Sequence, residues 1–160
     1  MKIIKDFLDK DLFNNLQSIV FSENFPYYYR GFVSDPSDKS DFFFEHILYK
    51  EKQQVSSHFD DVLMPLIGNI QYNYLLRAKI NCYTIKKKHI YTEMHRDFPF
   101  LHQVALFSFN TCNGYTYFED TKEKIKSLAN QLIIFDGNRN HCSVAQTDTN
   151  LRINVNINIL

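Results

Sequence analysis

The last ten residues constrain this chain more than any other stretch. "LRINVNINIL" (151–160) alternates without a break, with Arg152, Asn154, Asn156 and Asn158 at one set of positions and Ile153, Val155, Ile157 and Ile159 at the other. In a strand, residues two apart share a face, whereas a helix would scatter them. The segment is therefore predicted to be a β-strand. One face can pack on a core, and the other carries a guanidinium and three amides. That polar face either looks into water, as one side of an antiparallel sheet commonly does, or presents Arg and amides to something polar within the fold.

Other short strands precede it: "AKINCYTI" (78–85), "QVALFSF" (103–109), "GYTYF" (114–118), "QLIIFD" (131–136) and "CSVAQ" (142–146). Turn-forming residues separate them. "NTCNG" and "FDGNRN" offer Asn and Gly where a turn needs positive φ. Before residue 77 the spacing is helical. "DKDLFNNLQSIVF" (9–21) has Asp9 or Asp11 as cap and a stripe of Leu12, Leu16, Ile19 and Val20. "SSHFDDVLMPLIGNIQYNYLL" (56–76) has Ser56 or Ser57 as cap, Asp60 near the positive end of the dipole, and Val62, Leu63, Leu66, Ile67, Ile70 and Tyr74 as its stripe. Pro65 and Gly68 allow a kink there. The stretch "SDPSDKSD" (34–41) reads as a turn-rich loop. Helices first and strands after give an α+β, mainly β chain, with helices packed on one face of an antiparallel barrel or sandwich.

With 160 residues, the chain is expected to form one domain, and at 44% hydrophobic with 15 Phe and 10 Tyr it has material for a core. A net charge of zero gives no bulk attraction to nucleic acid or to an anionic membrane. Lys86-Lys87-Lys88 is a local cluster, expected at a solvated hairpin tip. No apolar run is long enough to span a bilayer. The first residues, "MKIIKDFLDK", meet Asp6 and Asp9 before a secretory core could form. Cys82, Cys112 and Cys142 are odd in number and widely spaced, against a disulfide framework or a zinc ribbon. The expectation is a reduced, cytoplasmic protein. The four glycines are not spaced to cradle a phosphate.

Two His-x-Asp triplets occur, His58-Phe59-Asp60 and His95-Arg96-Asp97, and with six histidines and 18 acidic residues chance could supply either. Near a helix start, residues two apart point away from each other, so His58 and Asp60 cannot close on one ion. His95 and Asp97 follow a predicted strand, where extended geometry puts both on one side. Two such ligands are the local half of a 2-His-1-carboxylate set, which leaves open positions on Fe(II). His141, opening a strand 46 residues on, can complete it. Arg152 lies eleven residues beyond His141, and a guanidinium inside a barrel needs a carboxylate partner. A surface pair at His95 and Asp97 and a polar strand start at His141 are the bland alternatives. A Cys142–His141 dyad is geometrically poor, because strand neighbours point to opposite faces. Zinc suits two His, one Asp and no thiolate less well than Fe(II).

In these residues the chain resembles the 2-oxoglutarate- and Fe(II)-dependent dioxygenases, in particular the prolyl-4-hydroxylase-like branch found in tailed bacteriophages. The pattern is His95-Arg96-Asp97, the strand "NGYTYF" (113–118), His141 and Arg152. "FPYYY" (25–29), "FFFEHILY" (42–49) and "RAKINCYT" (77–84) extend the resemblance upstream over most of the chain. It implies a double-stranded β-helix, jelly-roll or cupin-like, with N-terminal helices packed on the major sheet, as one dioxygenase domain over residues 1–160. It implies that His95, Asp97 and His141 bind Fe(II), that Arg152 holds the far carboxylate of 2-oxoglutarate, and that Tyr83 contacts this cosubstrate. "QVALFSF" lacks a tyrosine that some relatives place beside the Arg, so Ser143 or Ser108 is expected to supply the second hydroxyl. His89, Tyr91, Arg96, Phe98 and His102 are candidates for the mouth of the site. O2 and ascorbate are the implied co-reactants, and the host cytoplasm is the implied location of a phage protein. The substrate is left open between peptidyl proline, another protein side chain, a nucleobase and a small molecule. The alternative from another class is a non-catalytic cupin-like metal-binding or virion-associated module.

Overall fold

The computed structural model describes residues 1–33 and 42–160; the stretch read as a turn-rich loop (34–41) lies outside them. Short elements open the chain: β1 (Lys2–Ile4), α1 (Lys10–Val20), β2 (Tyr28–Arg30), β3 (Phe43–Lys50) and β4 (Gln53–Gln54). A π-helical turn (Phe59–Leu63) then runs into α2 (Met64–Ile67). Strands follow: β5 (Leu75–Thr84), β6 (Gln103–Ser108), β7 (Tyr115–Phe118), β8 (Lys124–Lys126), β9 (Gln131–Asp136), β10 (His141–Val144) and β11 (Leu151–Ile159). Every described pairing is antiparallel. The large sheet runs β1-β9-β6-β11-β5-β3-β2, with β4 on β3, and a smaller one runs β10-β7-β8.

β11 sits centrally, between β5 and β6, and its two faces do different work. Ile153, Val155, Ile157 and Ile159 join Leu16, Val20, Leu63 and Leu66 in the main core, all at most 1% exposed. Burying each such side chain contributes roughly 1.5–3 kcal/mol, which fixes the helices to this face of the sheet. The other face is not solvated: Arg152, Asn154, Asn156 and Asn158 are 2%, 2%, 8% and 0% exposed. Of the two readings of the alternation, the interior polar face is the one realised.

The first helix forms as its pattern predicts, with Asp9 accepting from the Leu12 N–H at 3.0 Å. The second is much shorter than 56–76. Pro65 has no N–H to give, the preceding turn closes in π fashion, and α2 ends at Gly68. No side chain caps it; Ser56 Oγ instead accepts from the His58 N–H at 3.0 Å. Tyr74, predicted on the buried stripe, is 69% exposed. Helices also do not simply precede strands. β3, an eight-residue strand, comes before the second helix and pairs with β5. Among the described residues, no helix is long and apolar enough to cross a membrane.

The two glycine-bearing turns correct another expectation. Among the described residues, no glycine has positive φ; those that do include Asp6, Glu51, Lys52, Lys122 and Asn130. Gly114 and Gly137 are there for space. A Cβ at Gly114 would stand 3.1 Å from Arg152 Cδ and from Gln146, and one at Gly137 would overlap the His102 imidazole.

Candidate metal and oxo-acid site

His95 and His141 come together through the backbone. Each donates its N–H to the other's carbonyl at 3.0 Å, an isolated antiparallel bridge that sets the two rings 4.8 Å apart between centroids. Asp97, at a bend two residues after His95, reaches the same point. The ligating atoms of His95, Asp97 and His141 all lie within 4.8 Å of one another. His58 and Asp60 form no such group; the His58 ring packs on Phe25 and His46 instead.

Both imidazoles have a defined orientation. Nδ1 of His95 lies 3.0 Å from the Glu93 carbonyl, and Nδ1 of His141 lies 2.9 Å from that of Arg139. A carbonyl can only accept, so each Nδ1 carries a proton, and it is Nε2 that holds the lone pair in the neutral form of either ring. Burial, then the neighbouring His95, lower the pKa of His141, which keeps it neutral near pH 7. Asp97 is the opposite case. Burial works to raise its pKa, but Arg77 and the Asn156 and Asn158 amides outweigh that and hold the carboxyl well below the usual range. Arg77 Nη2 donates to Oδ1 at 2.8 Å, and Asn156 and Asn158 donate to Oδ2 at 3.1 and 2.9 Å.

Arg152 lines a cavity together with His95 and His141 of this group and with Tyr83, Ser143, Thr116, Asn81, Asn154 and Asn156. Its Nη1 donates to Ser143 Oγ at 2.8 Å and to the Tyr115 and Val144 carbonyls at 3.3 Å; Nη2 reaches Thr116 Oγ1 at 3.5 Å. Nε is buried with no hydrogen-bond partner among the described residues, and none of the described carboxylates pairs with this guanidinium. Such a buried cation is costly unless an anion joins it, and burial lowers its pKa. Tyr83 is the register partner of Arg152; its ring lies 5.6 Å from the guanidinium carbon and stacks on Phe43. Of the two serines, Ser143 contacts Arg152, while Ser108 sits on β6 opposite Asn154.

The remaining expectations divide. His102 is buried beside Gly137, and Phe98 packs on it edge-on. His89 and Tyr91 pack on Tyr115 of the small sheet and do not line the cavity that holds Arg152. Lys86 lies over the Phe42 ring at 4.3 Å. Cys142 is buried with Tyr115 and Val144, its thiol pushed up to about 11 by burial, which leaves it no nucleophile. Arg77, Asn81 and Thr116 were missed. The signal for two of them was present: β5 alternates Arg77, Lys79, Asn81 and Tyr83 with Ala78, Ile80 and Cys82, as β11 does.

Solved structures place this architecture. An oxidoreductase of the 2OG-Fe(II) oxygenase family from Burkholderia pseudomallei aligns over 98% of this chain and 83% of its own, with TM-score 0.70 and 13% identity. This is the fold of 2OG-Fe(II) oxygenases. A prolyl hydroxylase from Trichoplax adhaerens, solved with a hypoxia-inducible-factor peptide, aligns over 99% and 82% with TM-score 0.63 and 14% identity. The viral collagen prolyl hydroxylase of Paramecium Bursaria Chlorella virus-1, solved with 2OG, aligns over 99% and 96% with TM-score 0.59 and 14% identity. No protein-family model and no curated protein matches the chain. At such identities the shared property is the fold, and the activity must be argued from side chains.

Proposed function

We propose that the chain is a 2-oxoglutarate- and Fe(II)-dependent oxygenase, folded as a single double-stranded β-helix domain, that hydroxylates a substrate while converting 2-oxoglutarate to succinate. One observation carries this reading: two imidazoles and a carboxylate converge within 4.8 Å, and the two imidazoles line a cavity with a buried guanidinium that no described carboxylate neutralises. The donor set of two nitrogens and one oxygen, with no thiolate, suits Fe(II) with open positions. The unpaired cation suits an acid.

His95 and His141 would give Nε2 to the metal, and Asp97 one carboxylate oxygen. Arg152, with Ser143 and Thr116 beside it, would hold the far carboxylate of 2-oxoglutarate through charge-assisted hydrogen bonds. Tyr83 would wall the cosubstrate against the Phe43 stack. Bound Fe(II) would supply the redox chemistry by which one oxygen atom of O2 enters the substrate C–H bond and the other enters succinate, with release of CO2. The protein's part is to orient these groups and to exclude water around them.

Peptidyl proline is the first substrate to test, because prolyl hydroxylases are among the similar solved structures. Other protein side chains, nucleobases and small molecules follow. The decisive assay is succinate release from 2-oxoglutarate with Fe(II), O2 and ascorbate, against a His141→Ala control. Metal-dependent succinate formation abolished in that control supports the proposal. Its absence favours a metal-binding module without turnover.

A further inference from the structure

Three hydrogen bonds from two strands hold the Asp97 carboxylate, and Arg77 organises them. Asp97 is 5% exposed at its side chain and Arg77 22%. Arg77 on β5 and Asn158 on β11 are register partners. Arg77 Nη2 donates to Asp97 Oδ1 at 2.8 Å and its Nε to Asn158 Oδ1 at 3.1 Å, while Asn158 Nδ2 donates to Asp97 Oδ2 at 2.9 Å. The three side chains thus close a ring. Asn156 adds a second bond to Oδ2 at 3.1 Å, and the Phe98 face lies 4.9 Å from the guanidinium carbon.

A carboxylate offers roughly four lone-pair sites. Two bonds fill Oδ2 and one half-fills Oδ1, so the arrangement leaves room for one more partner, at Oδ1. Without Arg77, a nearly buried anion would keep only amide donors, and it would turn toward solvent.

We propose that Arg77 is a positioning residue that holds Asp97 ready to give a single oxygen to a divalent cation. The inference rests on reading His95, Asp97 and His141 as the metal centre. Guanidinium geometry, and not charge alone, is what the ring requires, since Nε and Nη2 serve different partners.

The test is Co(II) binding by calorimetry to the full chain, with the visible spectrum of bound Co(II) at saturation reporting the ligand set. Arg77→Met is expected to weaken Co(II) about tenfold or more and to change the spectrum at saturation. Arg77→Lys should recover part of the affinity but not the native spectrum. Should Arg77→Met fail to fold by circular dichroism, Asn158→Ser removes both ring bonds of the Asn158 amide while keeping the Arg77–Asp97 pair, and should produce a smaller loss with a spectral change. Folded variants that bind Co(II) as tightly as the native chain, with the same spectrum, would overturn the proposal. A native chain that does not bind Co(II) would instead overturn the metal reading beneath it.

Discussion

His95 and His141 exchange two backbone hydrogen bonds of 3.0 Å, so the peptide chain, and not the imidazoles, holds these two positions side by side. Side-chain deletion should therefore remove a ligand and leave the bridge. His95→Ala and His141→Ala are each expected to lower divalent-metal affinity about 100-fold, while the metal-free melting temperature moves by no more than a few degrees. Calorimetric titration with Mn(II) and a thermal melt in chelator check the two halves separately.

Arg152 is a buried cation whose described partners are hydroxyls and carbonyls. Arg152→Met fills similar space without the charge. It should leave metal-free stability unchanged or raise it by about 1–4 kcal/mol in urea melts, while abolishing 2-oxoglutarate binding and sparing metal binding. A clear loss of stability would mean that the polar contacts outweigh desolvation.

Gly137 faces His102, which Phe100 pins through its carbonyl at 2.8 Å and which is itself buried. An added methyl cannot be met by swinging that ring aside. Gly137→Ala is expected to cost about 1–3 kcal/mol by overpacking, measured by denaturant unfolding. Its effect on metal affinity should be minor by comparison.

Acid should destabilise the metal-free protein. His141 and His46 are held below the ordinary 6.5 chiefly by burial. Below that value the unfolded chain binds protons that the folded chain refuses, so stability falls as pH drops from 6.5. Asp97, depressed from 3.8 because Arg77 and two amides outweigh its burial, adds a second loss only below about pH 4. Melting temperatures at pH 7.5, 6.5 and 5.5 should decrease in order.

Much of this site was legible in the residues, and for a physical reason. Strand alternation is strict, so Arg152 and the Asn residues of β11 had to share a face; His95 and Asp97 were expected together on extended chain, and they do meet, though at a bend and not along a strand. What local pattern cannot carry is the identity of the partner across a sheet. Asn156 and Asn158 of β11 proved to serve Asp97 while Asn154 accepts from Asn81, and Arg77 emerged only once β5 and β11 were in register. The overlong second helix failed for a related reason. Its apolar spacing continued past Gly68, but Pro65 and the pull of Leu75 onward into the sheet decided the geometry. β3 went unrecognised because it mixes apolar residues that pack on the main core, Phe44, Leu48 and Tyr49, with a charge, Glu45, that is paired across the sheet to Lys79 at 3.2 Å.

The most direct measurement is calorimetric titration of 2-oxoglutarate into the chain loaded with Mn(II), into the metal-free chain, and into Mn(II)-loaded Arg152→Met. One molecule bound per Mn(II)-loaded chain, with no binding to either of the others, is the predicted result. Equal binding with and without metal, or undiminished binding to Arg152→Met, would contradict a single cavity in which a triad and a guanidinium share one oxo acid.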